Sequence, residues 1–249
     1  MGLEINPALV ERVLVAFLRE EITKAGFHRG VLGLSGGIDS AVSAALAARA
    51  LGPENVWGII MPHRSSNPES REHAELVARQ LGIRSEVIDI SPQIDAYFQG
   101  RQCTNVRRGN KMSRERMSVL YDYSAELPAL VVGTSNKTET MIGYFTKWGD
   151  NACDIRPIAD LYKFQIYELA RELAVPEEVI GKAPTADLWD GQTDENEIGM
   201  TYEELDSILQ ALESGELAKL NPDRVERVRM MISASVHKRA PVPYFKVSR

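Results

Sequence analysis

Cysteine is scarce in this chain, and basic residues are fewer than acidic ones. Its 249 residues contain only two cysteines, Cys103 and Cys153, and neither belongs to a CxxC pattern. A disulfide framework or a structural zinc site is therefore not expected, and a reducing cytoplasm fits the cysteine usage best. The 29 Lys and Arg are outnumbered by 35 Asp and Glu, giving a net charge of −6. This balance argues against nucleic acid or an anionic membrane surface as the main partner.

Long apolar runs are also missing. The apolar stretch at residues 41–51 is interrupted by Ser43 and Arg49, and it is much shorter than the roughly 20 residues that a membrane span needs. The first residues show neither the basic start nor the apolar core of a secretory segment. We therefore expect a soluble, cytoplasmic protein. Residues 1–249 contain no repeat and no low-complexity linker, so we expect a single domain.

Short apolar segments alternate with longer amphipathic ones in the first half of the chain. They predict strands at residues 29–34, 55–61, 85–90 and 129–132, and helices at residues 7–24, 38–51, 70–81 and 112–127. This alternation predicts a doubly wound α/β fold, in which a parallel sheet carries helices on both faces. Beyond Asp150 the strand signals fade, and helices are predicted at residues 161–173, at 201–212 and from Asn221 onward. The C-terminal portion is therefore expected to be helical.

The turn after the first strand carries the clearest chemical signal. Residues 33–40 read Gly-Leu-Ser-Gly-Gly-Ile-Asp-Ser. Glycines let an anion approach the free amides at the start of a helix, and the hydroxyls of Ser35 and Ser40 can donate to phosphate oxygens. Asp39 would repel a bare phosphate, so a divalent cation between the two is the simplest interpretation. No lysine follows the glycines, so this is not a Walker loop; a turn that merely connects strand to helix is the alternative.

The loop at residues 35–40 resembles the Ser-Gly-Gly-x-Asp-Ser signature of the ATP pyrophosphatases. These enzymes cleave ATP between the α- and β-phosphates, adenylate a substrate oxygen and keep the pyrophosphate in the loop. Four further motifs resemble those of one family in this group: Gly-Thr-Ser-Asn-Lys-Thr-Glu at 133–139, Gly-Tyr-Phe-Thr-Lys-Trp-Gly-Asp at 143–150, Pro-Thr-Ala-Asp-Leu-Trp at 184–189 and His-Lys-Arg at 237–239. The chain therefore resembles the ammonia-dependent NAD synthetases from about residue 7 to 245, which implies an adenine nucleotide alpha hydrolase-like fold.

The resemblance also implies roles for individual residues. Asp39 and Glu139 would hold Mg²⁺ against the triphosphate, and Lys163 would act with them in catalysis by neutralising charge on the leaving pyrophosphate. ATP-binding positions are Gly33, Leu34, Ser35, Gly36, Gly37, Ile38, Asp39, Ser40, Thr134, Lys163 and Thr185. Positions for deamido-NAD are Arg114, Tyr144, Lys147, Asp154, His237 and Lys238, with the Tyr144 ring stacking on the nicotinate. Taken singly, the lysines, Arg114 and His237 could equally be solvated surface groups.

The implied reaction is the ATP-dependent amidation of deamido-NAD with ammonia through an adenylate, giving NAD, AMP and pyrophosphate. The family also implies a homodimer with deamido-NAD bound near the interface. The chain has no room for the nitrilase-type domain of glutamine-using members, so ammonia is the expected nitrogen source, although a separate glutaminase partner stays open. Two alternatives also stay open: a related ligase, such as a GMP synthase subunit or a tRNA-thiolating enzyme, and a non-catalytic adenine-nucleotide sensor.

Two further segments carry predictions of their own. Residues 185–206 contain eight carboxylates and no Lys or Arg, which predicts a mobile loop that closes over bound ATP; a permanently solvated acidic loop is the alternative. Residues 59–67 depart from the family, because some members have a basic residue near the end of the second strand. The ribose and adenine contacts there are not assigned.

Overall fold

A four-stranded parallel sheet forms the centre of the protein. The structure, a computed structural model, describes residues 4–189, 191–218 and 220–247. The strands are β1 (Gly30–Gly33), β2 (Val56–Ile60), β3 (Arg84–Val87) and β4 (Leu130–Val131), in the order β3-β2-β1-β4. All three pairings are parallel. The predicted sheet is confirmed, with strands shorter than the apolar segments that predicted them.

Helices connect and follow the strands. Those of the first half are α1 (Pro7–Lys24), α2 (Ile38–Leu51), α3 (Pro68–Leu81), α4 (Ser91–Phe98), α5 (Asn105–Glu126) and α6 (Lys137–Ile142), with a 3₁₀ turn at Pro53–Asn55. Those of the second half are α7 (Lys163–Glu172), α8 (Glu177–Ile180), α9 (Asp194–Ile198), α10 (Tyr202–Ser214), α11 (Pro222–Ala234) and α12 (Val236–Arg239). Among these described helices, none is long and apolar enough to cross a membrane.

Alternate residues of the strands face two separate cores. Leu32 of β1 and Ile60 of β2 are buried with residues of α1, α2, α3 and α7. Their neighbours Val31 and Ile59 are buried on the other face with residues of α4 and α5. Helices therefore cover both faces of the sheet, as the doubly wound prediction requires.

The C-terminal helices form a third core of their own. Ile142 of α6, Ile198 of α9, Leu205 of α10 and Val228 of α11 are buried together. The predicted helical C-terminal portion is therefore confirmed. Its last helix is interrupted, because α11 ends at Ala234 and the short α12 follows after Ser235.

Two predicted boundaries were wrong. Helix α5 begins at Asn105 instead of near residue 112. Thr104 caps this start, because its side chain accepts a hydrogen bond from Arg107 N (3.3 Å). The acidic segment at 185–206 is not a loop throughout, since it contains α9 and the start of α10, and Ile198 and Tyr202 in it are buried. Its irregular parts are residues 185–189 and 191–193 and the short connection 199–201 between α9 and α10; residue 190 lies outside the described residues. Movement of these parts stays a prediction.

Candidate active site

A cavity of 530 Å³ opens at the carboxyl ends of the strands. The loops that follow β1, β2 and β4 line it. Between β1 and β4 the order of the strands reverses, and this switch point is where open parallel sheets bind ligands. The cavity therefore lies where the sequence analysis placed the glycine turn.

The turn between β1 and α2 supplies one wall of the cavity. Seven of its predicted residues line the cavity: Gly33, Leu34, Ser35, Gly37, Ile38, Asp39 and Ser40. Gly36 has a φ of +73°, and a Cβ atom there would lie 2.0 Å from the Ser70 carbonyl oxygen, so only glycine fits. The α2 N-cap, Gly37, provides no side-chain cap. The first amides of α2 are consequently available to an anion.

The hydroxyls of the turn are fixed by each other. Ser35 Oγ and Ser40 Oγ lie 3.1 Å apart. Ser35 N donates to Ser40 Oγ (3.2 Å), and Ser40 Oγ donates to the Gly37 carbonyl (2.9 Å). The loop is thus held in one conformation by its own hydrogen bonds, with both hydroxyls at the cavity wall.

Three charged side chains from three helices meet beside this turn. Lys163 is 2% exposed, and its Nζ contacts Asp39 Oδ2 and lies 3.8 Å from Glu139 Oε1. Asn136 holds the arrangement, because its Nδ2 donates to Asp39 Oδ1 (2.9 Å) and its Oδ1 accepts from Glu139 N (2.9 Å). The structure thus brings together the three residues that the sequence analysis singled out for catalysis.

Burial and mutual attraction set the charges of this cluster. Burial raises the pKa of Glu139 above its ordinary value; the Asp39 carboxylate adds to the rise and the Lys163 ammonium opposes it. Burial alone would lower the pKa of Lys163, but the Asp39 and Glu139 carboxylates outweigh that effect and the pKa lies above its ordinary value. Lys163 is therefore charged across the neutral range, and its charge is balanced within the cluster.

The two carboxylates are suited to a hard cation. Oxygens of Asp39 and Glu139 converge on one ammonium, that of Lys163, so they already share a position for positive charge. The described residues contain no group of three His, Cys, Asp or Glu side chains that could hold a metal ion by themselves. Mg²⁺ often binds to one or two carboxylates and completes its shell with water and substrate phosphates. Asp39 and Glu139 fit that pattern.

Thr134 and Thr185 line the cavity on two other loops. Thr185 Oγ1 donates to the Gln192 carbonyl (2.8 Å) and accepts from Asp187 N (3.0 Å). The Asp187 carboxylate in turn accepts from Asn67 N (2.9 and 3.1 Å) in the loop after β2. The segment that carries Thr185 therefore lies across the cavity and contacts its opposite wall.

Two of the predicted deamido-NAD residues, Tyr144 and Lys238, also line the cavity. The Tyr144 hydroxyl lies between the carboxylates of Asp194 (3.1 Å) and Glu197, which share its one proton. Lys238 Nζ donates to the carbonyls of Gly143 (2.7 Å) and Phe145 (2.8 Å). Both contacts fix the segment around Tyr144 and leave its ring at the cavity.

The other four predicted deamido-NAD residues lie outside the cavity lining. Three of them are connected, since Arg114 Nε donates to the Lys147 carbonyl (3.2 Å) and Lys147 Nζ donates to the His237 carbonyl (2.7 Å). Asp154 is separate: its carboxylate accepts from Val131 N (2.8 Å) in β4 and from the Tyr121 hydroxyl (3.2 Å). The structure therefore gives Asp154 a role at the sheet edge.

Several charged residues of the cavity were not singled out from the sequence. Lys182, Arg116 and Asp194 all line it. Lys182 stands two positions before Pro184, the first residue of a matched motif, and Arg116 stands two positions after the matched position Arg114. This nearness in sequence is the one feature that could have indicated them. Arg116 Nε donates to the Met61 carbonyl (3.0 Å) at the end of β2, a contact that no local pattern indicates.

Comparisons with known proteins agree with this geometry. The family model described as NAD synthase matches residues 10–242. A Fusobacterium nucleatum protein named NH(3)-dependent NAD(+) synthetase is 50% identical over 99% of both chains. The structure is similar to that of an NMN synthetase from Francisella tularensis (TM-score 0.89, 36% identity, 97% of this chain and 100% of that one). It is also similar to an NH3-dependent NAD synthetase from Campylobacter jejuni (TM-score 0.85, 34% identity, 98% and 100%). The chain belongs to the NAD synthase family.

Proposed function

We propose that this protein is an ammonia-dependent NAD synthetase that catalyses the last step of NAD biosynthesis. It would use ATP and ammonia to convert the nicotinic-acid carboxylate of deamido-NAD into an amide, releasing NAD, AMP and pyrophosphate. One observation carries the proposal: the turn at 35–40 and the Asp39–Glu139–Lys163 cluster meet in the cavity that also contains Tyr144 and Lys238.

In the first step, a carboxylate oxygen of deamido-NAD attacks the α-phosphorus of ATP. The bond from that phosphorus to the α,β-bridging oxygen breaks, giving an acyl adenylate and pyrophosphate. The amides of the turn and the hydroxyls of Ser35 and Ser40 would hold the pyrophosphate. Mg²⁺, held by Asp39 and Glu139, would supply charge neutralisation for the triphosphate. Catalysis then comes mainly from alignment and charge stabilisation.

In the second step, ammonia attacks the activated carbonyl carbon. The carbon–oxygen bond to AMP breaks, the nitrogen loses a proton, and the amide of NAD is formed. No covalent enzyme nucleophile is required. Burial raises the pKa of the Cys153 thiol to about 11, so this cysteine near the cavity is not activated as one.

A second candidate function is the same amidation of the mononucleotide, giving NMN. The similarity to the Francisella tularensis NMN synthetase favours it. The acceptors of the two candidate reactions differ in one part: deamido-NAD contains an AMP half that the mononucleotide lacks. The connected residues Arg114, Lys147 and His237, which lie outside the cavity lining, are the available contacts for that half.

The test is a pyrophosphate-release assay with Mg²⁺, ATP and ammonium, in which the acceptor is deamido-NAD, nicotinate mononucleotide or xanthylate. Pyrophosphate and NAD that appear together only with the full set would establish the synthetase. Faster turnover of the mononucleotide would favour the second candidate, and turnover of xanthylate would indicate a GMP-forming ligase. No release with any acceptor would favour a nucleotide sensor.

We also propose that the protein acts as a homodimer in the cytoplasm with ammonia as its direct nitrogen source. Exposed Trp148 (56%) and Val236 (51%) are the chain neighbours of Lys147 and His237. Apolar side chains beside polar anchors are typical of a surface that a second subunit covers.

A further inference from the structure

Lys182 and Ser70 form a polar pair at the wall of the cavity. Lys182 is half-buried, and its Nζ donates to Ser70 Oγ (2.7 Å) across 112 positions of sequence. Ser70 is buried in the first turn of α3. Both side chains line the same cavity as the turn at 35–40.

The Ser70 backbone touches that turn directly. A Cβ atom on Gly36 would lie 2.0 Å from the Ser70 carbonyl oxygen and 2.8 Å from its carbonyl carbon. The turn that would hold pyrophosphate is therefore in van der Waals contact with the residue that binds the Lys182 ammonium. The Lys182 ammonium is therefore separated from the turn by a single residue, Ser70.

The charge of Lys182 is not balanced in the way that the charge of Lys163 is. Lys163 contacts two carboxylates, whereas the described residues place no carboxylate within 4.0 Å of Lys182 Nζ. The nearby Arg71 is also paired, through its Nε and Glu75 Oε1 (2.8 Å). Burial lowers the pKa of Lys182, and Asp187 and Glu69 oppose that effect only from a distance. A half-buried ammonium of this kind is stabilised by an anionic ligand.

The hydroxyl of Ser70 is also available to an anion. It accepts a hydrogen bond from Lys182, so its own proton is free to be donated. An ammonium and a hydroxyl side by side at an anion-binding turn match the several oxygens of a polyphosphate.

We infer that Lys182 and Ser70 bind the β- and γ-phosphates of ATP and the pyrophosphate that leaves. The inference rests on the proposed function, which it deepens: Lys163 would stabilise charge from the Asp39 side of the turn and Lys182 from the α3 side. The negative charge that develops on the leaving group as the α-phosphorus–oxygen bond breaks would then lie between two cations.

The test compares Lys182→Met, Lys182→Arg and Ser70→Ala with the wild-type protein. Lys24→Met, at the exposed end of α1, is the matched control. Calorimetry would measure the binding of Mg²⁺-pyrophosphate and, separately, of AMP. We expect Lys182→Met to weaken pyrophosphate binding by about tenfold or more, since charge-assisted hydrogen bonds are lost. AMP binding should stay unchanged, Lys182→Arg should retain most of the affinity, and Ser70→Ala should show a smaller loss.

Wild-type pyrophosphate affinity in Lys182→Met would overturn the inference, and so would an equal loss of pyrophosphate and AMP binding, which indicates general damage to the cavity. The titration does not depend on amide formation. Synthesis of NAD by the wild type together with normal pyrophosphate binding by Lys182→Met would therefore refute the inference alone. A protein that binds pyrophosphate through Lys182 but amidates no acceptor would refute the proposed function alone.

Discussion

Lys163 lies where Asp39 and Glu139 require positive charge, and its ammonium is within 3.8 Å of Glu139 Oε1. Removing the buried ammonium in Lys163→Met leaves two partly buried carboxylates without their partner. Loss of one partner of a buried ion pair costs about 3 kcal/mol of unfolding free energy. We therefore expect a lower melting temperature for the variant in the absence of divalent cations.

Mg²⁺ should stabilise Lys163→Met more than it stabilises the wild type, because no ammonium competes for the two carboxylates. The measurement is thermal unfolding in EDTA and in Mg²⁺, without nucleotide. Lys24→Met serves as the control and should unfold like the wild type under both conditions. Equal shifts by Mg²⁺ in Lys163→Met and in the wild type would contradict the assignment of the metal to Asp39 and Glu139.

A substitution at Asp39 distinguishes a synthetase from a non-catalytic nucleotide sensor. Asp39→Asn keeps an oxygen that can accept from Asn136 Nδ2 but removes the charge that would hold Mg²⁺. NAD formation should fall by about 100-fold or more, while the fold is kept. Asp122→Asn, on the exposed side of α5, is the control. The assay is steady-state NAD formation; near-full synthesis by Asp39→Asn would refute the metal role.

At the scale of secondary-structure elements, the β1–α2 turn contacts α3. Alanine substitutions at two glycines can test how much this contact matters for stability and ligand binding. Gly36 and Gly26 both have positive φ, at +73° and +85°. An added Cβ would collide with the Ser70 carbonyl at Gly36 but would meet nothing within 4 Å at Gly26. Gly26→Ala should therefore cost about 1 kcal/mol of backbone strain and leave ligand binding intact.

Gly36→Ala should cost more stability and should also displace the turn from α3. We expect its affinity for Mg²⁺-pyrophosphate to fall by about tenfold or more, because the amides and hydroxyls of the turn lose their alignment. Denaturant unfolding and calorimetry would measure both effects. Similar behaviour of the two alanine variants would show that the close approach to Ser70 does not matter.

Asp206 joins the C-terminal helices to the active site. It is fully buried in α10, where its carboxylate accepts from Thr138 Oγ1 of α6 and from Phe164 N of α7 (2.9 Å). Thr138 Oγ1 also accepts from Lys163 N (3.0 Å). Asp206→Ala would leave the Thr138 hydroxyl of α6 and Phe164 N of α7 without their acceptor, at a cost of about 2–3 kcal/mol. Urea unfolding should show this loss, with a smaller one for Asp206→Asn; no loss in either would contradict the role.

The sequence was sufficient for elements that local chemistry determines. Helix α2 has its predicted bounds because Gly52 and Pro53 end it, and α1 begins where Asn6 and Pro7 indicate. The start of α5 was missed because its first turns are polar and basic, and Gly109 there packs against Leu188 from a distant segment. Local periodicity contains no information about such a contact.

The same distinction holds for the site. The turn at 33–40 was predicted because its residues are adjacent in sequence and serve one ligand. The contact between Lys163 and Asp39 spans 124 positions and came only from family resemblance. Lys182 and Ser70 belong to no matched motif, so their proximity follows from the packing of α3 against the β1–α2 turn.

At the scale of the whole molecule, the arrangement of the predicted deamido-NAD residues bears on assembly. Tyr144 and Lys238 line the cavity, whereas Arg114, Lys147 and His237 lie outside its lining. A second subunit that covers this edge would close a site for the adenylate half of deamido-NAD. Dimerisation and use of the dinucleotide would then depend on the same surface.

Trp148 provides the test of this dependence, since it is 56% exposed and its ring lies beneath the Lys147 ammonium at 5.6 Å. We expect the wild type to sediment at twice the mass of the chain, and Trp148→Glu to sediment as a monomer because a buried charge opposes the interface. The KM for deamido-NAD should rise in Trp148→Glu while the KM for ATP changes little. Met230→Glu, at an exposed position of α11, should leave both the mass and the KM values unchanged. If Trp148→Glu were a dimer with a normal KM for deamido-NAD, the interface would lie elsewhere. If the wild type were a monomer that forms NAD, one subunit would hold the complete site.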